Sequence, residues 1–123
     1  MIFCSRNEDG TPASVLVQER RKQVTRRLKM VETGKIVAVQ PGRGKHAVCH
    51  VRVKSCVRHS DWVEDVMRRH QDDPNSIIEA LEEEARLEGF LSWLGVVSWF
   101  DGHKVDISQT WRIEFELVKE DML

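Results

Sequence analysis

Three residues of this chain have side chains suited to acyl or proton transfer: Lys22 and Thr25, three apart in Lys22-Gln23-Val24-Thr25, and the distant Glu88. A threonine hydroxyl is a weak nucleophile until a base takes its proton. A lysine partly desolvated beside other cations has its pKa lowered enough to serve as that base. Arg20, Arg21, Arg26 and Arg27 supply the cations. Side chains three apart point the same way on a turn and opposite ways on a straight strand, so the pair requires a bend. Taken alone, so short a pattern reads first as a strand threonine beside a surface lysine. Glu88 is placed at the end of a helix, one turn after Glu84, where the helix dipole and the neighbouring carboxylate both oppose a negative charge. That position suits a proton donor, and the plainer reading is a solvated end-of-helix glutamate.

Arg20 to Lys29 (RRKQVTRRLK) carries six basic residues, so Arg20, Arg21, Arg26, Arg27 and Lys29 are candidate phosphate ligands. The alternative is a solvated basic surface paired with the glutamates of the 79–88 helix. His46, Cys49, His50, Cys56 and His59 lie close in sequence but match no zinc spacing, and strand alternation sets Cys49 and Cys56 on opposite faces, so no metal site is expected. The tryptophans, Phe90, Phe100 and Phe115 could stack on bases, yet their helical and strand spacing assigns them to the core first.

The elements that must position these residues follow from periodicity and punctuation. Thr11-Pro12 opens a helix over 12–20, with Thr11 as its N-cap. Lys22 to Leu28 leads as a loop into a strand, and Lys35 to Gln40 reads as a second, buried strand closed by Pro41-Gly42. His46 to Val57 is a third, with Cys49, Val51, Val53, Ser55 and Val57 on one face. Ser60 or Asp61 caps a helix bearing Trp62, Val63, Val66 and Met67. Ser76-x-x-Glu79 reads as a capping box for the next, which carries Ile77, Leu81 and Ala85 and stops at Gly89. Ser92 to Phe100 is a further helix. Trp111, Ile113, Phe115 and Leu117 alternate with polar residues in a final strand, one face buried and one wet. Strands at both ends with helices between them predict an α+β fold, and a closed or nearly closed barrel would protect so few strand edges.

The 123 residues fit one domain over 1–123, and 41% hydrophobic with 32% charged residues excludes disordered and collagen-like classes. No signal-peptide core and no bilayer-length apolar run is present, so a cytoplasmic location without membrane attachment is expected. Three cysteines without a Cys-x-x-Cys pair read as free thiols. Residues 1–60 hold 13 Lys+Arg against 4 Asp+Glu, and residues 61–123 hold 6 against 16. This polarity fits either mutual attraction of the halves or a basic face kept for phosphate.

Taken together, the segments from about Ala13 to Val118 resemble the ASCH family, whose fold is related to the PUA domain. Lys22-Gln23-Val24-Thr25-Arg26-Arg27 is similar to the family's Lys-x-x-Thr-Arg segment, and Ala85-Arg86-Leu87-Glu88-Gly89-Phe90 to its Glu-Gly-Phe segment. The Trp93 helix and the strand Thr110 to Leu117 look like those of short phage-type members. The chain departs from the pattern at Arg20, where a glycine is usual, and at Gly34-Lys35, where Gly-Asp is usual. The resemblance implies a PUA-like small β-barrel with flanking helices and a role on RNA or a modified nucleoside. In a small bacterial branch that role is hydrolysis of N4-acetylcytidine to cytidine and acetate. It implies Thr25 as nucleophile, Lys22 as proton acceptor and Glu88 as proton donor, with no cofactor. Two further roles follow from the family, a non-catalytic RNA-binding module and a ribonuclease.

Overall fold

The computed structural model describes residues 1–123, the side chain of Met122 excepted. Its elements are α1 (Ala13–Gln18), β1 (Val24–Arg27), β2 (Ile36–Val39), β3 (Cys49–Arg58), α2 (His59–Arg69), α3 (Pro74–Leu87), α4 (Trp93–Gly102) and β4 (Trp111–Val118). The fold is α+β, as the order of elements predicted. The strands form one antiparallel sheet in the order β1-β4-β3-β2, with β4 and β3 at its centre and β1 and β2 at its edges.

Among the described residues no ladder joins β1 to β2, so the sheet is not closed into a barrel. The N-terminal segment occupies the gap instead. Ile2 bridges Gln40 in parallel just past β2, with Phe3 N donating to Gln40 O at 2.8 Å and Gln40 N to Met1 O at 2.9 Å. From the other edge, Arg27 Nη2 on β1 donates to Ile2 O at 2.7 Å. The core under this part of the sheet joins Phe3, Ala13, Val17, Val39, Val51 and Phe115. A second cluster, built on Ala85, Val96 and Phe100, joins α3 to α4.

Several local expectations are corrected. Pro12, not Thr11, is the residue before α1, because the Thr11 hydroxyl is taken by Asp9 at 2.5 Å. Neither Ser60 nor Asp61 caps α2; the chain enters the helix straight from β3 at Arg58. The cap of α3 is Asp73, whose side chain accepts from Asn75 N at 3.0 Å, with Pro74 next. Ser76 therefore falls inside the first turn, donating to Asp73 O. In β2 only Val39 is buried, since the strand lies at the sheet edge.

In β3 the register shifts between Val53 and Ser55, so Lys54 is an extra residue and the alternation reverses beyond it. Cys56 then pairs with Ile113 on the core side, and Val57 is turned outward, 38% exposed. Cys49 and Cys56 therefore share a face, but seven residue steps of strand, one of them the bulge, separate them by about 20 Å. Nor is the second face of β4 wet throughout: Arg112 lies beneath α3, with Nε donating to Glu84 Oε2 at 2.6 Å.

Candidate active site

Two helix ends build the site. At the end of α1, Arg20 N donates to Val17 O at 3.0 Å and Arg21 N to Leu16 O at 2.9 Å, the paired bonds of a Schellman turn. Such a turn needs a left-handed residue, and Arg20 supplies it at φ 60°. The bend between Lys22 and Thr25 expected from their spacing follows: Lys22 leaves the turn, and Thr25 sits in β1 opposite Ile113.

The end of α3 repeats the device. Gly89 N donates to Arg86 O at 3.0 Å and Phe90 N to Ala85 O at 2.9 Å, with Gly89 at φ 90°. A Cβ on Gly89 would lie 2.9 Å from Leu16 Cδ1 and 3.5 Å from Lys22 Cβ, so glycine is needed for approach as well as conformation. The two turns are tied together by Gln23 N to Leu87 O at 2.7 Å and by Lys22 Nζ to the carbonyl of Glu88, also 2.7 Å. Lys22 thereby satisfies a carbonyl that the helix end leaves open.

Lys22, Thr25 and Glu88 are all buried, 7%, 5% and 3% exposed, and all line one cleft of about 130 Å³. Ile2 to Ser5 of the N-terminal segment form one side; Phe90, Trp99 and Phe100 contribute aromatic wall. A cavity of about 150 Å³ holds a benzene ring, so the space is of the order of one six-membered ring. Burial, the largest cause, lowers the Lys22 pKa to about 8, helped by Arg27 and Arg26 and opposed by Glu88. Free amine is thus present near neutrality. Glu88 Oε1 accepts from Arg26 Nη1 at 2.9 Å, and Oε2 lies 3.9 Å from Lys22 Nζ.

The candidate phosphate ligands divide. Arg20, Arg21 and Lys29 are exposed. Arg26 is fully inside, its side chain 0% exposed, joined to Glu88 and, through Nη2, to Glu84 Oε2 at 2.8 Å in an ion pair off the angle of a hydrogen bond. Its pairing with the 79–88 helix is the alternative that the charge pattern allowed. Arg27 is half-buried against the Phe3 ring, 4.8 Å from its centroid. The sequence did not single out the N-terminal residues or Phe3 as parts of a site; the apolar Ile2-Phe3 pair was the signal it held. His59 and Arg112 were likewise not connected to Glu88, because only tertiary structure brings the start of α2 and the strand β4 against α3.

No family model, curated protein or solved structure matches the chain.

Proposed function

We propose that this chain is an ASCH-type, PUA-like domain that hydrolyses the amide of an acylated cytidine, of the N4-acetylcytidine kind, to cytidine and a carboxylate. The observation that carries the reading is the meeting of an amine, a hydroxyl and a carboxyl from two distant segments in one ring-sized cleft with aromatic walls. The PUA-like architecture is supported by the N-terminal segment, which spans the two sheet edges a barrel would join.

In this reaction Lys22, as free amine, takes the proton of Thr25 Oγ1 as the oxygen attacks the acyl carbon. Glu88 accepts from Arg26 on Oε1, so the proton it donates is the one Lys22 has gained, passed to Oε2 and on to the departing cytosine nitrogen. The C–N bond breaks, leaving an ester on Thr25. Water then attacks that ester, again with Lys22 as base, releasing the acid and the threonine. The aromatic wall excludes bulk water and offers a face for the pyrimidine.

Release of acetate from N4-acetylcytidine by the purified protein tests this. Thr25→Ala and Lys22→Ala are expected to reduce turnover by more than about a thousandfold, as loss of a nucleophile or its base does elsewhere. No turnover by the wild type across a panel of acylated cytosines would defeat the assignment. The exposed Arg20, Arg21 and Lys29 favour a second reading, an RNA-binding module. Affinity for RNA would then fall steeply with salt and on charge reversal at Arg20 and Arg21, while Thr25→Ala leaves it unchanged.

A further inference from the structure

Behind the cleft lies a set of buried polar groups that the reaction does not use. Arg26 presents three guanidinium nitrogens to three different partners: Nη1 to Glu88, Nη2 to Glu84, and Nε to His59 Nδ1 at 2.9 Å. The guanidinium lies over the Trp62 ring at 4.8 Å, and His59 stacks on Trp93 at an interplanar angle of 6°. Glu84 in turn takes two hydrogen bonds from Arg112, at 2.6 and 2.9 Å. Neither Glu84, His59, Arg112, Trp62 nor Trp93 lines the cleft.

Arginine has no acceptor and is always charged, so the ring nitrogen facing Arg26 Nε must carry a lone pair and His59 must hold its proton on Nε2. Burial first, then the charge of Arg26, pushes the His59 pKa down to about 4, consistent with that neutral form. A buried network of this kind is a poor device for stability, because desolvation offsets most of the Coulomb gain and an apolar replacement of equal volume is commonly as stable. Its geometry does fix orientation. With two donors held by hydrogen bonds and the third nitrogen by an ion pair, the guanidinium plane is fixed, and Glu88 Oε1 is held with it.

We propose that His59 and Glu84 are positioning residues: they clamp Arg26, which pins one oxygen of Glu88 and leaves Oε2 beside Lys22 as the oxygen that exchanges protons. This rests on the catalytic reading of the cleft and adds to it groups that touch no substrate. The decisive comparison is His59→Phe, which keeps a ring against Trp93 and removes the acceptor, with His59→Asn, whose amide oxygen can accept from Arg26 Nε in place of Nδ1. His59→Phe is expected to lower kcat for N4-acetylcytidine about tenfold to a hundredfold with KM nearly unchanged, as loss of supporting hydrogen bonds does at other sites. His59→Asn is expected to restore most of it, and Glu84→Gln to fall between.

A second measurement needs no turnover: the pH midpoint at which Lys22 becomes reactive to an amine-directed acylating reagent, read by mass spectrometry on folded protein. The midpoint should move in His59→Phe and Glu84→Gln and return in His59→Asn, because Lys22 senses where the Glu88 charge lies. Should the wild type prove inactive on acylated cytosines, the proposed reaction fails while this titration still decides the clamp. Equal kcat in both His59 variants, or a Lys22 midpoint indifferent to all three substitutions, would overturn it.

Discussion

At the scale of single residues, what distinguishes the site is the environment given to Lys22. Its amine is buried, its stem passes over Gly89, and its charge is opposed by Arg27 and Arg26. The folded pKa of about 8 sets a pH dependence with a definite sign. If Lys22 is the base, kcat/KM should rise close to tenfold per pH unit from about pH 6 and level above about pH 8, where the amine is already free. A profile flat through this range, measured on the wild type, would remove Lys22 from that role. The sequence marked Lys22, Thr25 and Glu88 as candidates because their chemistry is legible in side-chain type. Their nearness was not, since the 62 residues separating Thr25 from Glu88 carry no distance information.

At the scale of elements, the two Schellman turns present the lysine and the glutamate. One was visible beforehand in Gly89. The other was hidden because Arg20 performs the glycine's part at φ 60°, in a conformation unfavourable to a residue with a Cβ. Arg20→Gly is therefore expected to stabilise the fold by up to about 1 kcal/mol in denaturant unfolding, with turnover retained. An unchanged or lowered unfolding midpoint would show that the Arg20 side chain contributes more than its strain costs. The bulge at Lys54 was hidden for a related reason. Period-two alternation continues through Ser55 and Val57 in sequence, and an inserted residue is decided by pairing with β4, which sequence does not display.

For the molecule as a whole, the N-terminal segment joins the two sheet edges and walls the cleft. Phe3 concentrates both functions: it is 2% exposed, meets Phe115 edge-on at 5.9 Å between centroids, and lies under the Arg27 guanidinium. Phe3→Ala should cost about 3–5 kcal/mol of stability, and at a temperature where the variant stays folded it should raise KM by widening the cleft. A loss below about 1 kcal/mol would mean that the segment merely rests on the sheet. Sequence by itself determined the element types, the α+β class and the chemically able residues, because periodicity, turn residues and side-chain chemistry are local properties. Tertiary structure alone decided that the sheet stays open with an N-terminal strap, that Arg26 turns inward instead of toward solvent, and that His59 and Glu84 stand behind Glu88. Those outcomes depend on which distant segments are packed together, and packing is fixed by the sum of many weak contacts rather than by any motif.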